Sequence, residues 1–321
     1  MNLKSKIGLW VMKRKFLGHA AMNLNRIFFH WDKREQKKSF GNLNPDKKFF
    51  VLRSNGTHDG LLAMYITRLR QIKNLIENNF TPVVDFENYE TQYTMQEPVN
   101  GTRNVWEYYF EQPCKISLDE VYKSKNVILS GWKLSDDPSK KPDIDYYDHD
   151  YTYDIFKYAP IKKYILDIAD NKIFSDDIAN MIGVFIRGTD YTHLKPAGHA
   201  VQPSKEMAAE KVDEFLKKYP ASKIFLATED EGILNFFKAR YKDLIYTTDE
   251  NVIKNYSGQN YLTDEIKGVN KYKFGLDYLV KMICLANCKY LIASLAAGSF
   301  FAELFNGGKY HDKFIFNLGV Y

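Results

Sequence analysis

Ile182-Gly183-Val184-Phe185-Ile186-Arg187-Gly188-Thr189-Asp190-Tyr191 decides the fold. Its first five residues are a continuous apolar run, the pattern of a strand buried on both faces, and the run ends abruptly in a guanidinium, a hydroxyl and a carboxylate. The same grammar recurs downstream. Lys223-Ile224-Phe225-Leu226-Ala227 runs into Thr228-Glu229-Asp230, and Tyr290-Leu291-Ile292-Ala293 runs into Ser294 ahead of a small-residue helix from Ala296 to Phe305. Between them Ser204-Lys205-Glu206, after Pro203, starts a helix with Met207, Val212, Phe215 and Leu216 as its expected core face. Strands alternating with helices predict a parallel sheet, and the carboxyl ends of such strands line one crevice where ligands bind.

The first half repeats the alternation. Phe49-Phe50-Val51-Leu52 reads as a strand, and the turn-like Ser54 to Gly60 leads into a helix with Leu61, Tyr65, Leu69, Ile72 and Ile76 on one face. Thr81 to Asp85 and Val127-Ile128-Leu129 are the next strands. Between about Leu134 and Asp154 the composition shifts to Asp, Pro, Lys and Tyr, which suits an inter-domain connection; Tyr158 to Asp177 is helical material leading into the second half. The chain is therefore read as α/β in two domains, 1–165 and 166–321.

With 321 residues, 45% of them hydrophobic and 26% charged, the chain is long enough for two domains and excludes a disordered, collagenous or coiled-coil protein. Three cysteines, Cys114, Cys284 and Cys288, are too few for a disulfide framework, and no secretory signal opens the sequence, so a cytoplasmic location is expected. The net charge of +5 is unevenly placed. Residues 1–40 hold ten Lys/Arg against Asp32 and Glu35, a net +8, which leaves −3 for the remainder. Leu9, Trp10, Phe16, Phe28 and Trp31 are interleaved with those charges. This segment admits two readings, a helix on an anionic membrane surface and a solvated helix pair packed on its own domain. No basic stripe continues beyond residue 40, so nucleic acid is not expected as a partner.

Arg187 at a buried strand end suits a phosphate ligand, because its planar fork makes two charge-assisted hydrogen bonds. Gly188-Thr189 permits close backbone approach, and Asp190 can orient Arg187 or accept a proton. The competing reading is a structural Arg187–Asp190 ion pair. Glu229 and Asp230 could receive the donors of a guanine edge, or simply form the acidic first turn of the next helix. Ser294, Gly298 and Ser299 combine hydroxyls with helix-terminal amides, an anion site in one reading and an N-cap in the other. Neither the G-x-x-x-x-G-K-[ST] loop nor G-x-G-x-x-G occurs, and no metal site is expected: the Asp143–Asp154 cluster lacks calcium-loop spacing, and Cys284 and Cys288 read as core.

The order of these blocks resembles a known family. Gly183 to Tyr191 is similar to the G-V-H-x-R-R-T-D segment of the α1,6-fucosyltransferases and the related rhizobial chitin-oligosaccharide and protein O-fucosyltransferases. Ile224 to Asp230 resembles their strand ending in A-T-D-D, and Gly275-Leu276-Asp277 through Ser294 and Ser299 their serine-containing phosphate turn. Asn55 to Leu61 occupies the place of the acceptor-side glycine loop, and Asn104 to Pro113 looks like a Trp-Glu-x-Tyr-Phe-Glu-Gln stretch of bacterial relatives from surface-polysaccharide clusters. Two positions depart from the pattern: Phe185 stands where the family has histidine and Gly188 where it has a second arginine.

The resemblance implies a GT-B glycosyltransferase, two Rossmann-like domains facing across a cleft, inverting and metal-free, with no cofactor beyond a nucleotide-sugar donor, GDP-fucose first. It implies catalytic roles for Arg187 and Asp190 and nucleotide contacts from Thr189, Thr228, Glu229, Asp230, Asp277, Ser294, Gly298 and Ser299. Asn55, His58, Asp59, Trp106 and Glu107 are expected on the acceptor side, while the rings around Trp106 suit sugar stacking or, equally, a core aromatic cluster. A lipid-linked glycan acceptor would place the protein at the inner face of the membrane.

Overall fold

The protein is described by a computed structural model covering residues 35–54, 59–131, 153–220, 222–248, 252–254, 256, 258 and 269–321. Asn55, His58, the basic segment up to residue 34 and nearly all of the expected connection lie outside the described residues.

Two sheets organise the chain. In the first, β2 (Phe49–Arg53) pairs in parallel with β3 (Thr81–Asp85) on one side and β4 (Val127–Leu129) on the other. A polar edge strand, β1 (Gln36–Lys38), runs antiparallel to β4. Helix α1 (Leu61–Glu77) links β2 to β3; α2 (Val105–Tyr109) and α3 (Leu118–Val121) follow before β4. A short 3-10 turn (Ile155–Tyr158) and α4 (Lys163–Ser175) lead to the second half. The expected domain division at 165/166 falls inside the first turn of α4.

The second sheet is wholly parallel: β5 (Ile182–Phe185), β6 (Ile224–Ala227), β7 (Ile245–Tyr246), β8 (Tyr290–Ser294) and β9 (Asp312–Phe316) lie in the order β7-β6-β5-β8-β9. Its helices are α5 (Thr189–His193), α6 (Lys205–Lys218), α7 (Glu231–Tyr241), α8 (Lys271–Ala286) and α9 (Ala297–Asn306). The winding reverses between β5 and β8, so the crevice outside their carboxyl ends is the topological switch point, the place where doubly wound sheets take ligands.

One continuous apolar cluster runs through both halves, from Phe50, Leu52 and Tyr65 to Met282, Leu291 and Phe301. Tyr65 lies flat on Phe110, with centroids 3.7 Å apart, and reaches Phe301 of α9. The Tyr109 hydroxyl donates to the Tyr272 carbonyl at 3.0 Å across the junction. Because α1 is clamped between its own sheet and α9, it is buried around most of its circumference, with Ile66 and Arg68 inside as well as the expected stripe. Two expected core positions are not core. Ile76, in the last turn of α1, is 39% exposed, and Met207 is 40% exposed while the smaller Ala208 and Ala209 are the buried residues of that turn of α6. Among the described residues no helix is long and apolar enough to cross a membrane.

Candidate active site

Arg187 lies just past β5, with only 18% of its side chain exposed. Its Nη2 donates to Asp190 Oδ1 at 3.0 Å and its Nε to Glu229 Oε1 at 3.4 Å, while the guanidinium carbon sits 4.1 Å from the centre of the Tyr191 ring. The Nη1 donors have no hydrogen-bond partner among the described residues. Burial works against the charge, but Glu229, Tyr191 and Asp190 outweigh it and hold the guanidinium above its ordinary pKa. The ion pair expected as the structural alternative therefore forms, and half of the fork remains available to an anion.

The loop carrying Arg187 is fastened from β6. Glu229 Oε1 accepts from the Gly188 amide at 3.1 Å and the Thr189 hydroxyl at 3.0 Å; Asp230 Oδ2 accepts from the Thr189 amide at 3.2 Å. Asp230 Oδ1 caps α7 through the Ile233 amide, 2.9 Å, and Thr228 Oγ1 in turn accepts from the Asp230 amide, 3.2 Å. These bonds hold the fully buried Thr189 at φ +36°, a region that β-branched residues avoid at a cost of about 1–3 kcal/mol. The carboxylates of Glu229 and Asp230 thus organise the Arg187 loop, and Asp230 also takes the capping role of the alternative reading.

The opposite wall of the crevice is the turn from β8 into α9. Ser299 is buried; its Oγ accepts from the Ala296 amide at 3.0 Å and lies 2.6 Å from the Ser294 carbonyl, so it fixes the turn. Ser294 does not cap α9. Its Oγ is fully buried without a hydrogen-bond partner among the described residues, and the cap position is Ala296. Gly298 has no room for a side chain: a Cβ there would come within 2.7 Å of Tyr278 Oη and 2.8 Å of Phe185 Cζ. Phe185, the residue in place of the family's histidine, is therefore packed under the first turn of α9. Asp277 is paired with Lys273 one turn earlier, 2.5 Å.

Sequence reasoning missed the aromatic groups that close on Arg187 from elsewhere. Tyr278 of α8 and Tyr93 of the first half both lie in its field: burial raises both phenols, Tyr93 to about 12, and the nearby guanidinium opposes the rise. Tyr93 Oη accepts from the Leu61 amide at 3.1 Å, which ties the start of α1 to this corner. Tyr278 shares its helix face with Phe274 and Met282 and so reads as core, and Tyr93 sits in a loop without periodicity; no pattern in the sequence marks either.

On the acceptor side the structure differs from expectation. Trp106 is 1% exposed, edge-on to Phe86 and against Tyr65 and Phe110, with its Nε1 donating to the Glu111 carbonyl; no ring face is left for a sugar. Glu107 spends both oxygens internally, on Thr102 (2.9 Å), Gln112 (2.8 Å) and Asn104 (3.3 Å). Asp59 is exposed just before α1, its carbonyl accepting from Gln92.

This pair of Rossmann-like units, with a crevice at the switch point of the second, is the GT-B fold. Among solved structures, POFUT1 in complex with GDP-fucose matches with a TM-score of 0.50 at 10% identity, over 88% of this chain and 100% of that one. The fucosyltransferase NodZ from Bradyrhizobium matches at 0.44 and 14% identity, over 80% and 93%, and a variant of Arabidopsis thaliana FUT1 in complex with GDP at 0.47 and 10%, over 86% and 72%. The likeness to POFUT1 shows a shared GT-B fold. No protein-family model matches the sequence, and no curated protein matches it either.

Proposed function

We propose that the protein is a glycosyltransferase that takes a sugar from a nucleotide donor, GDP-fucose in the first instance, to a glycan acceptor. The observation that carries this reading is Arg187 itself: a guanidinium held at the switch point by Glu229 and Asp190, with its Nη1 donors unclaimed and the first turn of α9 on the neighbouring strand. As the sugar–phosphate bond breaks, charge grows on the diphosphate. The free edge of Arg187 and the α9 amides stabilise that charge, the task a divalent ion performs elsewhere, so the transfer is proposed to be inverting and metal-free. Asp190 orients Arg187, and Thr189, Thr228, Glu229 and Asp230 hold its loop. GDP-fucose in the POFUT1 structure supports a guanine donor.

The acceptor is proposed to be a surface glycan, reached at the inner face of the membrane through the basic, aromatic-rich residues 1–40. The decisive experiment is a thermal-shift series with GDP, UDP, dTDP and their sugars on the full chain and on Arg187→Ala. A stabilisation by guanine diphosphates that the variant loses supports the reading. A chain that no nucleotide stabilises overturns it.

A further inference from the structure

The acceptor hydroxyl needs a base, and the Asp190 carboxylate beside Arg187 is already engaged through one oxygen. Asp190 Oδ1 already accepts from Arg187 Nη2 and, at 3.3 Å, from the Thr189 hydroxyl. Glu107 is consumed by its own neighbours. Among the described residues an imidazole also stands at this corner. His199 packs edge-on against Tyr191, with ring centroids 5.2 Å apart, and Tyr191 is the ring on which the Arg187 guanidinium rests.

The backbone under His199 is pinned. The Tyr321 amide donates to the His199 carbonyl at 3.0 Å, the Gly198 amide to the Tyr321 carbonyl at 3.0 Å, and the Val201 amide to the Gly319 carbonyl at 2.9 Å. Three residues on, the buried Gln202 donates from Nε2 to the Ala200 and Leu295 carbonyls, both at 3.1 Å, which ties this loop to the turn that opens α9. His199 itself remains solvent-accessible at the rim. It is therefore an accessible imidazole on a fixed loop that joins the two walls of the crevice.

We infer that His199 is the general base of the transfer, an inference that rests on the glycosyltransferase reading above. Its imidazole nitrogen takes the proton of the acceptor hydroxyl as that oxygen bonds to the anomeric carbon. The carbon–oxygen bond to the diphosphate breaks with its electron pair leaving on the nucleotide, and the imidazolium then releases the proton to solvent. The charged groups that bear on His199 are Arg187 and Asp190; the partial burial of the ring on its Tyr191 side and the Arg187 charge depress its pKa, and Asp190 opposes them. The imidazole is thus neutral, and competent as a base, at neutral pH.

The test uses GDP-fucose with water as the acceptor, on the full chain and on His199→Gln, between about pH 5 and 9. Hydrolysis by the variant is expected to fall about 10²–10⁴-fold and to lose the acidic limb of the wild-type profile. GDP is expected to raise the melting temperature of both proteins equally. As a readout independent of turnover, GDP should move the His199 imidazole resonance and raise its pKa, because the added anion favours the charged ring. Unchanged hydrolysis with the acidic limb intact, a lost GDP shift in the variant, or a His199 resonance indifferent to GDP each overturns the inference and leaves the glycosyltransferase reading standing. Absence of any nucleotide stabilisation in the wild type overturns that reading and the inference with it.

Discussion

Asp230 fills the space where Gly188 would carry a side chain: a Cβ on Gly188 would lie 2.3 Å from Asp230 Oδ2 and 2.5 Å from its Cβ. The glycine is thus the counterpart of the carboxylate that fastens the Arg187 loop, and the arginine expected there by resemblance would have no room in this packing. Gly188→Ala forces Asp230 away from the Thr189 amide. A loss of about 1–3 kcal/mol by denaturant unfolding is expected, together with weaker nucleotide binding as the Arg187 loop shifts. A variant with wild-type stability and GDP response would show that this contact is not what shapes the loop.

Protonation of His199 should be visible in stability as well as in chemistry. Its folded pKa lies below the ordinary value, so on acidification the unfolded chain takes up this proton first. The contribution of His199 is then fully present above the ordinary histidine pKa and is lost as pH falls through the lowered one. His199→Asn removes the linkage. Melting curves between about pH 5 and 8 are expected to show the wild type losing ground to the variant only on the acidic side. Parallel curves across that range would count against the lowered pKa.

Most of the architecture could be read from the sequence because β2, β5, β6 and β8 are buried on both faces and so appear as unbroken apolar runs. The strands left unread, β1, β7 and β9, are edge strands with polar or half-buried residues or only two positions long. At the site, Arg187, Glu229 and Asp230 are legible because each lies within three residues of the end of its strand. Tyr93, Tyr278 and His199 reach the same corner from three separate segments, and only the folded chain brings them together. Trp106 admits two readings from sequence for a physical reason: a dense aromatic stretch looks the same whether it faces a sugar or fills a core, and the fold places it in the core.

Trp106→Ala separates those two uses. A buried tryptophan removed from among Tyr65, Phe86 and Phe110 leaves a large cavity, and a loss of about 3–5 kcal/mol is expected by urea unfolding. Wild-type stability combined with a raised acceptor KM would instead return Trp106 to the acceptor surface.

At Gly275, α8 lies directly against the first half. A Cβ there would meet Tyr109 Oη at 2.4 Å and Tyr93 Cδ1 at 3.2 Å, so any side chain acts as a wedge between α8 and the first half. Tyr109 also donates to the Tyr272 carbonyl one turn earlier, and Tyr93 holds the first amide of α1 beside Arg187. Gly275→Val therefore strains the junction and the crevice together. Expected are a stability loss of about 1–3 kcal/mol and a reduced melting-temperature gain with GDP, even though residue 275 touches neither Arg187 nor the α9 turn. The double variant Gly275→Val with Tyr109→Phe, which removes the hydroxyl nearest the wedge, should recover part of both losses. No recovery in either measurement would locate the strain at Tyr93 rather than at Tyr109.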